Sequence, residues 1–288
     1  MTQKLAIVTG ANAGLGFETS KVLVSVNYRI IMACRDVSKG LKAKELILKE
    51  FPNGLIDVLQ LDLSSQNSVS KFADLVKFDF KHLDLLINNA GIMMTPYKKT
   101  ADGFENQMAT NYLGHFALTG LLLPLLNAAT NARVINLSSL AHRWTGIKFD
   151  DVNFETGYDK KAAYGQSKFA CLMFGYELDR RLKASDSNTI SVVAHPGISN
   201  TGLFQFMPTF LKWLSPFIGQ KAEDGALPII FAALSNDLKG GEYIGPDGFN
   251  EWRGKPKIVD SNAASKKLAD AKKLWDLSEK MVNVKYDF

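Results

Sequence analysis

The chain has 288 residues, 46% hydrophobic and 22% charged, ample material for a globular core. Its formal charge of +5 is modest, and Lys266, Lys267, Lys272 and Lys273 are interleaved with Asp270 and Asp276 as on a solvated helix, so no nucleic-acid surface is expected. Two cysteines, Cys34 and Cys171, are too few for a disulfide framework or structural zinc, which suits a reduced, cytoplasmic setting, and neither a signal peptide nor a membrane span is expected.

Leu5–Val8 reads as a first buried strand and runs straight into Thr9-Gly10-Ala11-Asn12-Ala13-Gly14-Leu15-Gly16, which opens a helical pattern over Leu15–Val26. Glycines in such a turn let the backbone approach a diphosphate, and the start of the helix offers free N–H groups and a favourable dipole. A glycine-rich turn can serve only to turn tightly; the strand–turn–helix context gives this one meaning. Gly10, Asn12, Gly14, Leu15 and Gly16 are therefore candidate dinucleotide-binding residues.

A second strand, Arg29–Ala33, ends at Cys34-Arg35, where NAD-preferring folds place a carboxylate for the ribose 2′-hydroxyl. Arg35, with Lys39 one turn later, suits a 2′-phosphate instead, so NADP is expected rather than NAD. The plainer alternative is that Arg35 pairs with Asp36 or caps the helix over Lys39–Glu50.

Strand Leu55–Leu61 leads to Asp62-Leu63 and a helix over Ser68–Phe78, and strand Leu83–Ile87 leads to Asn88-Asn89-Ala90-Gly91. A long helical pattern, Gly103–Ala128, contains Asn111; strand Val134–Leu137 ends at Ser138-Ser139; a helix follows over Ala163–Lys183, then strand Thr189–Ala194 and Pro196-Gly197-Ile198-Ser199-Asn200-Thr201. Beyond lie an aromatic stretch, Phe204–Ile218, a helix over Ala222–Leu234, a short strand at Glu242–Ile244 and a helix over Ala264–Val282. Nearly wholly apolar strands alternating with helices predict an α/β fold, one doubly wound parallel sheet of about seven strands in a single domain. Segment 199–220, as a substrate lid, and a C-terminal helical extension, 250–288, are expected to be appended to it.

Tyr164 and Lys168 lie four residues apart, so a helix places both on one face. At about 5 Å and an effective dielectric of about 20, the ammonium would favour the phenolate by roughly 3 kcal/mol, drawing the tyrosine from about 10 toward about 8. A pair of this spacing is common on solvated helix faces, and Ser139 and Asn111 taken singly read as caps or helix-satisfying polar groups. His82, His115, His142 and His195 show no metal-ligand spacing, and Gly165-Gln166-Ser167 lacks the second glycine of a nucleophile elbow.

Taken in chain order, the Gly10/Gly14/Gly16 turn, Asn88–Gly91, Asn111, Ser138-Ser139, Tyr164-x-x-x-Lys168 and Pro196–Thr201 resemble the short-chain dehydrogenase/reductase family in its one-domain, Rossmann-type form. The long Ser139-to-Tyr164 interval, Ala33-Cys34-Arg35-Asp36 and Gly245-Pro246-Asp247-Gly248-Phe249 resemble its retinol dehydrogenase-like branch. The resemblance implies hydride transfer between nicotinamide and a carbonyl or alcohol carbon. Tyr164 would be the general acid/base, with Lys168 supporting it and holding the nicotinamide ribose, Ser139 bonding the reacting oxygen and Asn111 holding a relay water. It also implies an adenine contact at Asp62-Leu63, an adenosine-ribose loop at Asn89, Ala90 and Gly91, and nicotinamide and diphosphate contacts at Pro196, Gly197, Ile198 and Thr201.

Phe204–Ile218 falls where the family has a substrate lid, which suggests a lipophilic substrate; burial of a helix or subunit contact is the equal alternative. Family members often form homodimers through the helix that carries Tyr164, while the C-terminal helix could instead cover other contacts. Reduction of a carbon–carbon double bond, as in protochlorophyllide reductases, and a non-catalytic NADP sensor or scaffold are the competing functions.

Overall fold

The computed structural model describes residues 3–198 and 220–288. The strands are β1 (Leu5–Thr9), β2 (Arg29–Cys34), β3 (Ile56–Gln60), β4 (Leu85–Asn88), β5 (Arg133–Leu137), β6 (Ile190–Ala194), β7 (Tyr243–Pro246) and β8 (Pro256–Val259). They form one sheet in the order β3-β2-β1-β4-β5-β6-β7-β8, parallel except for β8, which pairs antiparallel with β7. The chain winds outward from β1 in one direction and from β4 in the other. The switch point between them is where open α/β sheets bind ligands beyond the carboxyl ends of their strands.

Among the described residues eight strands stand where about seven were expected, and the eighth lies inside the extension expected to be helical. Pro256–Val259 escapes a pattern search because it is a half-exposed edge strand begun by proline and carrying Lys257 and a largely exposed Ile258. The central strands behave as expected: β1 and β4 are buried throughout, as strands covered on both faces must be.

Helices α1 (Gly14–Ser25), α2 (Val37–Glu50) and α6 (Ala222–Leu234) cover one face of the sheet, closing a core around Val8, Ile30, Ile87 and Ile229. On the other face, α3 (Gln66–Asp79), α4 (Gly114–Asn127), α5 (Lys160–Ala184) and α7 (Leu268–Val282) close a larger core around Phe72, Phe116, Phe174 and Trp275. The pattern read as one helix over Gly103–Ala128 is broken: a turn at Asn106–Met108 and a π-helical turn at Ala109–Leu113 precede α4. No helix among the described residues is long and apolar enough to cross a membrane.

Candidate active site

Every loop singled out in the sequence leaves the carboxyl end of a strand, so the fold gathers them along one edge of the sheet. A cleft of about 550 Å³ opens there, lined by Gly10, Asn12, Gly14, Leu15, Arg35, Asp62, Leu63, Asn89, Ala90 and Gly91 among others. The turn after β1 is built for close approach. Gly10 has φ +66, and a Cβ on Gly16 would collide with the Gly10 carbonyl and the Asn89 amide. α1 begins without a side-chain cap and without an acidic residue in its first turn, which leaves its first N–H groups for an anion. Gly16 itself is buried behind the turn.

Arg35 lines the cleft and has no hydrogen-bond or ion-pair partner among the described residues. The plainer reading is not what the structure shows, because Asp36 instead caps α2 through Lys39 N–H at 3.2 Å. Lys39 departs from expectation: its ammonium lies 3.7 Å from the Asp36 carboxylate, exposed and away from the cleft lining. Local ion pairing at helical spacing has claimed it. Asp62 lines the cleft and also accepts from Ser64 N–H at 2.9 Å; Ser65, not Asp62, caps α3.

Gly91 joins the cleft to the reacting groups. A Cβ there would lie 3.2 Å from Asn111 Oδ1 and 3.5 Å from Lys168 Nζ. Asn111 sits in the π-helical turn, where Gly114 N–H reaches back to Ala109 O. Its amide braces the loop after Gly91, accepting from Ile92 N–H at 2.8 Å, and donates to Ser167 Oγ at 2.8 Å. Its own carbonyl takes His115 Nδ1 at 2.9 Å and Cys171 Sγ at 3.1 Å. On α5, capped by Asp159, Tyr164 and Lys168 share the buried face toward β5. Ser138 Oγ donates to Lys168 O at 2.8 Å, and Lys168 Nζ donates to Leu137 O at 3.0 Å.

The electrostatics differ from the expectation of a softened phenol. Burial pushes Tyr164 up to about 12, only partly opposed by its hydrogen bond with Ser139. Lys168 is also buried and lowered by desolvation, and its ammonium is turned to Leu137 O. Desolvation is the largest influence on the phenol, and the Lys168 ammonium is spent on Leu137 O instead.

Pro196, Gly197 and Ile198 follow β6 at the same edge, held from behind by Trp252, whose carbonyl takes Ile198 N–H at 2.8 Å. Thr201 and the stretch Phe204–Ile218 lie outside the described residues. Sequence reasoning missed Met93, Thr95, Asn106 and Thr110 in the cleft lining, although Asn106 and Thr110 sit at helical spacing. It also missed Thr9 Oγ1, which accepts from Asn89 and Ala90 N–H at 2.9 Å each, although Thr9 heads the glycine turn.

A family profile described as short chain dehydrogenase matches residues 4–210. Human retinol dehydrogenase 12 is 38% identical over 99% of this chain and 88% of its own length. The Brassica napus chloroplastic short-chain dehydrogenase TIC 32 B is 39% identical over 96% of this chain and 88% of its own. The crystal structure of an uncharacterised protein from Mycobacterium paratuberculosis superposes with a TM-score of 0.82 at 39% identity, covering 99% of this chain and 96% of the other.

Proposed function

The chain belongs to the short-chain dehydrogenase/reductase family, in its retinol dehydrogenase-like branch, and from that premise we propose an NADP-dependent oxidoreductase for lipophilic carbonyls or alcohols, with Tyr164 as general acid/base. The observation that carries this reading is Gly91, a cleft residue that lies beside both Asn111 and Lys168, so the dinucleotide cleft and the proton-handling groups share a wall.

Bound nicotinamide supplies the hydride chemistry. The chain's own residues do the rest. The open N-terminus of α1 and the Gly10–Gly16 turn receive the diphosphate, and unpaired Arg35 offers a fork of donors to a 2′-phosphate. Tyr164, a neutral phenol at ordinary pH, gives its proton to the carbonyl oxygen during reduction, and Ser139 donates to that oxygen as charge builds there. Lys168, whose ammonium lies beside Gly91, would hold the nicotinamide ribose. Support for a lipophilic substrate comes from half-exposed Trp144, its ring 6.1 Å from that of Tyr164, and from Met93 in the cleft wall.

The test is NADPH oxidation against medium-chain and aromatic aldehydes, ketones and enones. Wild type is expected to turn over, and Tyr164→Phe to lose about 100-fold or more while still binding NADPH. Arg35→Ala is expected to weaken NADPH about tenfold and leave NADH unchanged, the loss of a charge-assisted contact. Equal NADPH consumption by wild type and Tyr164→Phe sinks the catalytic assignment and favours a sensor.

A further inference from the structure

The turn between β7 and β8 reaches back over two loops of the candidate site. It carries Glu251, whose carboxylate faces both loops: Arg143 Nη2 donates to Oε1 at 2.8 Å, and His195 Nε2 lies 3.0 Å from Oε2, a close polar contact outside hydrogen-bond geometry. Arg143 ends the short 3-10 turn, Leu140–Arg143, that Ser139 caps. His195 follows β6 and precedes Pro196-Gly197-Ile198. The His195 side chain is fully buried, and its Nδ1 accepts Gly197 N–H at 3.2 Å, so the hydrogen-bond network assigns the proton of the neutral ring to Nε2, facing Glu251.

The next residue, Trp252, gives its carbonyl to Ile198 N–H and sits so close to Gly197 (φ +66) that no Cβ would fit. The turn holds an uncommon backbone to do this: Asn250 and Glu251 have φ 50 and 59, left-handed values that non-glycine residues rarely keep. Side-chain and main-chain contacts thus converge on the same loop from one short segment.

We propose that Glu251 is a positioning residue: by tying Arg143 to His195 it fixes the Ser139 turn and the Pro196–Ile198 loop as one unit and sets the nicotinamide end of the dinucleotide site. This rests on the dehydrogenase reading given above. The adenosine end, formed by Gly10, Arg35 and Asp62 after β1, β2 and β3, lies outside its reach.

The experiment titrates NADPH and adenosine 2′,5′-bisphosphate, which carries only the adenosine half, against wild type, Glu251→Gln and Glu251→Ala by calorimetry, with melting temperature read alongside. Glu251→Ala is expected to raise the NADPH dissociation constant about tenfold and leave the bisphosphate unchanged, because only the nicotinamide half loses its preset loop. Glu251→Gln falls between, since its carbonyl oxygen still accepts from Arg143 while its amide N–H faces the His195 N–H. Arg143→Gln, at a half-exposed position, gives the same split more mildly and decides the matter if Glu251→Ala does not fold. Equal losses for both ligands, or none for either, overturn the clamp. Failure of the wild type to bind either ligand overturns the dehydrogenase reading, and the clamp with it.

Discussion

Burial favours the neutral form of Tyr164 more strongly than its hydrogen bond with Ser139 opposes it, and this fixes how the reaction should respond to pH. With burial holding the phenol at about 12, the proton donor is fully loaded through the neutral range, whereas the phenolate needed for alcohol oxidation is scarce. The logarithm of kcat/KM for oxidation should therefore climb by about one per pH unit to at least about pH 9, while reduction stays flat over the same span. A plateau in oxidation near about pH 8 would instead place the phenol where Tyr-Lys spacing alone puts it. Tyr164 and Lys168 can be paired in the sequence by their helical spacing, whereas Asn111 and Ser139 are singled out only through the family resemblance. The protonation of the Tyr164–Lys168 pair is not legible there, because desolvation depends on the tertiary fold, with Leu137 and Ser138 meeting Lys168 from the end of β5.

Over Gly103–Ala128 the sequence offers a single helical period, yet the chain makes a π-helical turn at Ala109–Leu113. The reason is tertiary. Gly114 abuts the backbone of Leu63, and His115 is pinned between Thr9 Oγ1 at 2.8 Å and the Asn111 carbonyl at 2.9 Å, so the helix gains a residue to meet both. The same long-range origin hides β8, which pairs only with β7, and Glu251, whose partners lie more than fifty residues away along the chain. The pinning has a measurable consequence. Burial pushes both His115 and His142 down from 6.5 to about 4, so the folded state binds fewer protons than the unfolded chain between those values. Their contribution to stability is complete above about pH 6.5 and is lost as pH falls toward about 4, at about 1.4 kcal/mol per pH unit for each ring. Urea unfolding followed from about pH 7 to about pH 5 should show this acid loss, and His115→Gln should remove one ring's share of the slope. An unaltered slope in that variant would mean that His115 is not the neutral, buried ring described.

For the molecule as a whole, the decisive packing is that of the C-terminal segment on α4 and α5. Trp275 of α7 meets Phe116 at 5.1 Å and Phe174 at 5.9 Å, and Tyr286 packs at a tilt against both Trp275 and Phe116 while donating to Phe116 O at 2.6 Å. Tyr112 Oη and Ser278 Oγ close the seam at 2.7 Å. The helix that carries Tyr164 is thus covered by its own chain around Phe174 and Arg181, and a homodimer built on that part would first have to displace residues 268–288. The intact chain should accordingly run as a monomer in light scattering, and removal of residues 268–288 should produce association or loss of solubility through the bared Phe116 and Phe174. Trp275→Ala should cost about 3–5 kcal/mol in chemical unfolding, the range for deleting a buried aromatic side chain. Trp275→Phe should cost less than half of that, because the indole Nε1 is buried without a hydrogen-bond partner among the described residues and the phenyl ring keeps most of the contact area. A stable dimer that keeps its C-terminal segment seated would move the subunit contact to another face. A cheap Trp275→Ala would show that α7 rests on the core without being part of it.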